Sequence, residues 1–125
     1  MGVKNEKRNR TIRSGRCEIK KLAYIDLSKK SVEVTEIPQE WRRMLLGGRG
    51  INMLLLYQHG PLSGDDPMHP DNPLIFGTGL LTGVAGISTS RYNVTGYSPY
   101  SGFLGDSNAG GFFGPELRFA GFDHL

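Results

Sequence analysis

A glycine-rich segment, residues 105–111, contains the residue types best suited to holding a small anionic ligand. Its glycines, among them Gly110 and Gly111, let the backbone approach a ligand closely and turn N–H groups toward it. A short predicted helix follows, and its first turn adds unpaired N–H donors. Ser107 lies within the segment, and Asn108 supplies a carbonyl oxygen of the kind that Mg²⁺ prefers. The pattern indicates either a phosphate–magnesium site with Asn108 as metal ligand or an ordinary tight turn.

Two arginines are further candidates for contacting an anion. Arg91 lies in a predicted strand, residues 89–97, on the same face as Asn93. Its planar guanidinium suits a phosphate, a carboxylate or the polar edge of a heterocycle, and the alternative is an exposed arginine on an open sheet face. Arg49 lies between two predicted helices in the stretch Gly47–Gly50. This stretch is either a second anion contact or a simple helix–helix turn.

The residue patterns of catalytic sites are missing from the sequence. The one cysteine, Cys17, cannot form an internal disulfide or hold an iron–sulfur cluster by itself, and the first histidine is His59. The serines lack a Gly-x-Ser-x-Gly elbow, and no spaced carboxylate pair occurs. His69 lies among aspartates in a proline-rich loop, which indicates a solvated acidic loop rather than a ligand set. The residues alone therefore predict binding of an anionic cofactor.

The positive charge is concentrated at the start of the chain. Residues 1–21 carry eight Lys and Arg against two Glu, whereas residues 22–125 carry seven basic and ten acidic side chains. This pattern predicts a basic disordered leader over residues 1–20 and a folded part over residues 21–125. The absence of aromatic residues before Tyr24 disfavours a nucleic-acid partner. No signal sequence or membrane-length apolar run is present, which predicts a cytoplasmic protein without a membrane partner.

The remaining pattern predicts the elements that position these residues. Residues 23–27 and 31–35 predict a β-hairpin around a polar turn. Trp41, Met44 and Leu45 share one face of a predicted helix that follows Pro38. Ile51, Leu54, Leu55 and Gln58 define a second helix. Residues 74–76 and 89–97 predict strands, residues 102–114 a glycine-rich loop, and residues 115–120 a short helix, with a further strand beginning at the end of the sequence.

Several motifs occurring in one order resemble the aldehyde:ferredoxin oxidoreductase family. The resemblance runs from about Leu22 to Asp123, and an ordered set of linked motifs is more specific than any one of them. The motifs are Gly47–Gly50, Asp71–Phe76, Gly79–Gly83, Ser90–Val94, Gly102–Leu117 and Phe119–Asp123. The basic leader lies outside this resemblance.

The resemblance implies a cofactor and three of its contacts. Enzymes of this family oxidise aldehydes to carboxylic acids and pass the electrons to ferredoxin. They hold tungsten, or sometimes molybdenum, on two pterins whose phosphates are bridged by Mg²⁺, and a [4Fe-4S] cluster lies nearby. By resemblance, the family's arginine between cluster and pterin is Arg91. Its asparagine at the Mg²⁺–phosphate site is Asn108, and a pterin-contacting glycine is Gly110.

The resemblance also implies the fold class and the partners. It implies an α+β fold in which a mostly antiparallel β-sheet base with short helices forms the N-terminal part of a larger, pterin-binding double-sheet domain. The cluster cysteines of the family lie in later domains, so this chain is expected to work with the remainder of the enzyme or a complementary subunit. Residues 91–93 favour the aldehyde-oxidising type. The alternatives are an aromatic-ring reductase subunit and a non-catalytic pterin- or phosphate-binding scaffold.

Overall fold

A computed structural model describes residues 20–60 and 66–125, which form an α+β fold with antiparallel strand pairing and short helices. The predicted fold class is confirmed. The predicted leader lies outside the described residues except for Lys20. In chain order the elements are β1 (Lys21–Asp26), β2 (Ser31–Glu36), α1 (Gln39–Leu45), α2 (Arg49–His59), β3 (Ile75–Thr78), β4 (Tyr92–Tyr97), β5 (Leu104–Ala109) and α3 (Phe113–Phe119).

The predicted hairpin is present and pairs β1 with β2. The two strands run antiparallel, with Lys21 opposite Glu36 and Asp26 opposite Ser31. The Asp26 side chain closes the turn, because its Oδ1 accepts a hydrogen bond of 2.9 Å from the Lys29 backbone N–H. The pKa of the Asp26 carboxyl is lowered, and this hydrogen bond is the largest of the causes. The turn is therefore held by local hydrogen bonds, which explains why a short polar sequence predicts it.

The two predicted helices are confirmed, although their buried faces differ in detail from the prediction. Trp41 of α1 packs against the core, whereas Met44 is 71% exposed. The α1 helix has only seven residues, so one narrow stripe of it reaches the core. In α2 the buried stripe is Ile51, Asn52, Leu55 and Leu56, and Gln58 is exposed. The apolar pattern could not show that Asn52, a polar residue, lies in this stripe.

The second half of the chain forms a three-stranded sheet in the order β3–β4–β5. Asn93 of β4 lies opposite Gly77 on one side and opposite Asn108 on the other. The expectation of a loop over residues 102–114 is wrong for residues 104–109, which form β5. A Cβ at Gly105 would lie 3.3 Å from the Gly96 carbonyl oxygen, so glycine permits close approach to β4 here. The same glycine content made the segment resemble a loop.

A short terminal segment, residues 123–125, joins the hairpin to the three-stranded sheet. His124 forms a parallel bridge with Leu22 of β1 and an antiparallel bridge with Gly77 of β3. The Ala23 N–H donates to the His124 carbonyl oxygen at 3.0 Å, and the Leu125 N–H donates to the Phe76 carbonyl oxygen at 2.9 Å. The prediction that strand-like structure begins at the end of the sequence agrees with this pairing.

The apolar core lies between α2 and the strands. Leu22 and Ile75 contribute from the strands, and the remaining buried members are Ile37, Ile51, Leu55 and Leu56. Three aromatic rings pack on the opposite face of the three-stranded sheet, with the Tyr92 and Phe113 centroids 4.8 Å apart and the Phe76 and Phe113 centroids 5.6 Å apart. None of the helices in the described part of the chain is long and apolar enough to span a membrane.

Candidate functional site

Strand β5 and the residues after it carry four of the six predicted site residues. Ser107 and Asn108 are consecutive, so their side chains point to opposite faces of the sheet. Asn108 shares its face with Asp106 and lies opposite Asn93. Gly110 and Gly111 follow the strand and are exposed, and Gly111 has a φ of +98° with open space where a Cβ would lie. The backbone after β5 is therefore open to an approaching ligand.

Arg49 joins this surface from α2. Its Nε lies 3.2 Å from Oδ2 of Asp106, and the two side chains are 60% and 19% exposed. The ion pair brings the start of α2 to the edge of the sheet. Because Arg49 remains largely exposed, the pair itself adds little to stability, but it holds the guanidinium at Asp106, which shares a face of β5 with Asn108. Arg49 is the first residue of α2, directly after the short turn that separates α1 from α2.

Arg91 lies immediately before β4 rather than within a strand, so the mid-strand prediction is wrong. Arg91 is exposed, and its backbone carbonyl oxygen accepts a hydrogen bond of 2.7 Å from Thr82 Oγ1. Strand pairing begins at Tyr92, which lies opposite Thr78 and Ala109. Within residues 20–60 and 66–125, no acidic side chain pairs with the Arg91 guanidinium. An arginine held by its backbone alone presents all its side-chain donors for binding.

A buried amide network, formed by His124, Asn52, Asn93, Thr95 and Asp106, lies beneath this surface. Asn93 Nδ2 donates to Asp106 Oδ1, and Asn93 Oδ1 accepts from Asn52 Nδ2 at 2.9 Å. Thr95 Oγ1 donates to the same Asn93 oxygen at 2.7 Å. Asn52, Asn93 and Thr95 are at most 3% exposed. The sequence does not show this network, because its residues are scattered along the chain and the motifs that contain Asn93 and Asp106 do not reveal their partners.

His124 ends the network on the side of the terminal segment. Its Nδ1 lies 2.8 Å from Asn52 Oδ1, and the imidazole is 1% exposed. The Asn52 oxygen can only accept, so the Nδ1 of His124 carries the proton. Burial lowers the pKa of His124 to about 4, with the nearby Asp123 carboxylate opposing this shift and Lys20 adding to it. The imidazole is therefore neutral at pH 7.

Gly77 provides the space in which this end of the network fits. A Cβ at Gly77 would clash with Asn52 Oδ1 and would lie 2.6 Å from both Cε1 and Nδ1 of His124. The glycine is needed here because it has no side chain, and its φ is not in the left-handed region. The sequence signal was available, since a glycine inside a strand marks the close approach of other groups.

The replacement Asn52→Leu is expected to lower the free energy of unfolding by about 3 kcal/mol, because it removes the buried hydrogen bonds of Asn52 to Asn93 and leaves the buried Nδ1 of His124 unpaired. Urea unfolding followed by circular dichroism measures this change. Gln58→Leu on the exposed side of the same helix is the matched control and should change stability by no more than about 0.5 kcal/mol. Equal effects of the two replacements would contradict a structural role for the buried amide network.

The arrangement suits an anionic ligand with a flat ring. The guanidinium groups of Arg49 and Arg91 and the open backbone at Gly110 and Gly111 supply donors, and Phe112, 86% exposed, supplies an aromatic face. The described residues hold no group of three or more His, Cys, Asp or Glu able to bind a metal ion. A hard cation at Asn108 would therefore take most of its oxygen ligands from the anion, as Mg²⁺ does with phosphates. The predicted residues fit a phosphate-bearing cofactor.

A cavity of about 340 Å³ lies elsewhere, between α1 and the terminal segment. Its polar lining includes Lys20 and Arg118, which lie 2.7 and 3.5 Å from Oδ1 of Asp123. Arg118 also donates to the carbonyl oxygens of Leu80 and Thr82 at 2.8 and 2.7 Å, so it fixes the loop after β3. None of the six predicted site residues lines this cavity.

Comparison with known proteins agrees with the resemblance. The family model described as aldehyde ferredoxin oxidoreductase, N-terminal domain, matches residues 22–125. The tungsten-containing aldehyde ferredoxin oxidoreductase of Pyrococcus furiosus is 42% identical over 102 residues, which are 81% of this chain and 16% of that protein. The corresponding protein of Thermococcus kodakarensis is 43% identical over the same shares. This chain thus spans about one sixth of the length of these curated relatives.

A solved structure supports the same assignment. The active site complex BamBC of benzoyl coenzyme A reductase, in complex with 1,5-dienoyl-CoA, superposes with a TM-score of 0.79 and is 35% identical. The match covers 83% of this chain and 16% of that chain. The family model, the tungsten-containing relatives and this structure all align with nearly the whole described region. The chain therefore belongs to the aldehyde ferredoxin oxidoreductase family and corresponds to its N-terminal domain.

Proposed function

We propose that this chain is the N-terminal cofactor-binding segment of a tungsten–pterin aldehyde:ferredoxin oxidoreductase. Such an enzyme oxidises an aldehyde to a carboxylic acid and passes two electrons to ferredoxin. The observation that carries this proposal is the family match over residues 22–125. It is supported by the 42% and 43% identity to two relatives named as tungsten-containing enzymes of this activity.

The proposed cofactor residues lie around β5 and the start of α2. Arg49 and Arg91 bind and orient anionic groups of the pterins through their guanidinium donors. Asn108, through its carboxamide oxygen, is the proposed ligand of a Mg²⁺ ion that neutralises the phosphates. Gly110 and Gly111 let the backbone lie close to the flat ring system. Ser107 is the sixth proposed cofactor residue, and because its side chain points to the opposite face of the sheet from Asn108, its proposed contact is through the backbone of β5.

The cofactor, when bound, supplies the redox chemistry, and this chain supplies its position and charge balance. Two guanidinium groups add positive charge next to the cofactor, which favours its reduced form. The [4Fe-4S] cluster proposed for the complete enzyme takes its cysteine ligands from outside this chain. We therefore propose that the chain works with the remainder of the enzyme, in one polypeptide or as a complementary subunit, and that ferredoxin is the electron acceptor.

A related reaction class is the second candidate. The solved relative is the active site complex of a benzoyl coenzyme A reductase and is 35% identical to this chain. The two folds are similar, with a TM-score of 0.79, so the fold does not distinguish aldehyde oxidation from aromatic-ring reduction. Under this alternative, the chain supports the same kind of cofactor in an enzyme that reduces an aromatic thioester.

Purification of the native protein under anaerobic conditions tests the proposal directly. We expect tungsten or molybdenum together with pterin fluorescence, and reduction of a viologen dye with an aldehyde. Cofactor without aldehyde oxidation would favour the aromatic-ring reductase, if an aromatic coenzyme A thioester is converted, or otherwise a non-catalytic scaffold. Absence of both metal and pterin would overturn the cofactor-binding proposal.

Replacement of Arg91 tests its proposed role in the same protein. Arg91→Ala is expected to release the cofactor about tenfold faster, because a charge-assisted hydrogen bond contributes about 1.5 kcal/mol or more. The measurement is the tungsten retained by the protein through repeated desalting. Arg43→Ala is the matched control, since Arg43 is also exposed but lies on α1 and is not a proposed ligand. Equal cofactor retention in the two variants would contradict the assignment of Arg91.

A further inference from the structure

The carboxamide of Asn93 contacts β5 at three places beneath the proposed cofactor surface. We infer that Asn93 is a positioning residue for this surface, holding Asp106 and Asn108 in one arrangement while Asn52 and Thr95 hold Asn93 itself. The inference rests on the proposed function for its biological meaning. The contacts that carry it are properties of the fold and can be tested separately.

The NH₂ group of Asn93 has its acceptors on strand β5. Its Nδ2 lies within hydrogen-bond distance of Asp106 Oδ1, of the Ser107 carbonyl oxygen at 3.0 Å and of Asn108 Oδ1 at 3.4 Å. One NH₂ group with two hydrogens thus serves three acceptors on three consecutive residues of β5. Since β5 pairs with β4 alone in its sheet, these side-chain contacts add a second restraint to the strand at this point.

The carboxamide of Asn93 has one permitted orientation. Its Oδ1 receives hydrogen bonds from Asn52 Nδ2 at 2.9 Å and from Thr95 Oγ1 at 2.7 Å. Rotation by 180° would turn the NH₂ group of Asn93 toward the Asn52 donor and its oxygen toward the three acceptors on β5. Because Asn93 is 3% exposed, water cannot compensate for the lost bonds. The buried amide network therefore fixes which atom of Asn93 faces β5.

Asn93 is linked to two proposed cofactor residues, Arg49 through Asp106 and Asn108 directly. Asp106 accepts a hydrogen bond from Asn93 through Oδ1, and its Oδ2 forms an ion pair with Arg49 Nε at 3.2 Å. Asn108 Oδ1 accepts from the same Asn93 NH₂ group at 3.4 Å, and an amide oxygen has two lone pairs, so one remains for a cation. The Asn93 carboxamide thus sets the spacing between the Arg49 guanidinium and the Asn108 carboxamide. Partners of ligand residues commonly change ligand affinity tenfold or more when removed.

The decisive comparison is between two asparagines, using the 125-residue chain. Asn93→Ala removes the contacts with β5, whereas Asn72→Ala removes a similar set at the other end of β4. Asn72 Nδ2 donates to the carbonyl oxygens of Pro67 and Tyr97 at 2.8 and 2.9 Å, and its Oδ1 accepts from the Tyr97 N–H at 3.1 Å. Both variants lose stability, so loss of stability alone does not distinguish them.

The distinguishing readout is the nuclear magnetic resonance order parameter of the Asn108 side-chain NH₂ group, measured well below the unfolding temperature. We expect Asn93→Ala to reduce it to below about 0.6, the range of flexible groups, and Asn72→Ala to leave it unchanged. Binding of Mn²⁺ with pyrophosphate, a probe for a cation–phosphate group, should weaken about tenfold in Asn93→Ala and remain unchanged in Asn72→Ala.

Each outcome bears on one proposal. An unchanged Asn108 order parameter in Asn93→Ala, or an equal fall in both variants, overturns the positioning role. Failure of the unaltered chain to bind Mn²⁺ with pyrophosphate argues against the proposed cofactor surface, while the order parameters still decide the role of Asn93. If Asn93→Ala does not fold, Thr95→Val, which removes one hydroxyl and its bond to Asn93, decides by the same order parameter.

Discussion

Replacing Gly77 with alanine is expected to lower the free energy of unfolding by about 3 kcal/mol or more. The added methyl group would lie 2.6 Å from ring atoms of His124 and would overlap Asn52 Oδ1. Neither neighbour can move aside easily, because Asn52 and His124 are fully buried and hydrogen-bonded to each other. Relief of the clash would break that bond and separate the terminal segment from β3.

Gly79→Ala is the matched control for this replacement. Gly79 lies two residues along the chain, and a Cβ there would have Thr82 Oγ1 at an ordinary distance of 3.5 Å. Its φ is not in the left-handed region, so alanine adds no backbone strain. Urea unfolding should show a change of no more than about 0.5 kcal/mol for this variant. A small effect at Gly77 as well would show that the contact between Asn52 and His124 is not tightly packed.

Acidification is expected to destabilise the chain through His124. Its pKa is about 4 in the folded protein and 6.5 in its ordinary state, because burial penalises the charged imidazole. Between these two pH values the unfolded chain binds a proton at His124 that the folded chain does not bind. The stability contributed by His124 is therefore complete above pH 6.5 and falls as the pH drops toward 4, by about 3 kcal/mol in total.

The comparison of His124→Asn with the unaltered chain isolates this titration. Asparagine retains an N–H donor close to the position of Nδ1 but does not titrate, so the variant starts less stable and loses less stability between pH 6.5 and 4. His69→Asn is the control, because the His69 side chain is 54% exposed and lies in the acidic loop. Free energies of unfolding measured at closely spaced pH values give the slopes. Equal slopes for the unaltered chain and His124→Asn would refute the assignment.

The elements that sequence predicts well are those whose signals are local. The hairpin follows from alternating residues around a polar turn, and α1 and α2 follow from Pro38 and from apolar spacing. Strand β5 was missed because its evidence is not local. Glycines at positions 102, 105 and 110 predict a loop, and the edge of β4 that pairs with residues 104–109 becomes visible only in three dimensions.

The same distinction separates the predicted from the unpredicted parts of the candidate site. Arg49, Asn108 and Gly110 could be named from residue type and motif, and the structure brings Arg49 to within an ion pair of β5. Asn52 belongs to no motif, and the motif that contains Asn93 does not show that its side chain is buried, since an asparagine in a helix or strand is normally exposed. Their roles depend on contacts between residues 41 positions apart, which sequence spacing cannot show.

The terminal segment has a consequence for how the chain folds during synthesis. Lys20 and Asp123 bind each other across 103 positions, and His124 bridges both β1 and β3. On the ribosome the hairpin emerges well before the segment that completes its sheet. The backbone bridges from His124 to β1 and β3 therefore cannot form until residues 123–125 have left the exit tunnel. Emergence of this segment, rather than formation of the hairpin, sets the earliest moment at which this fold can close.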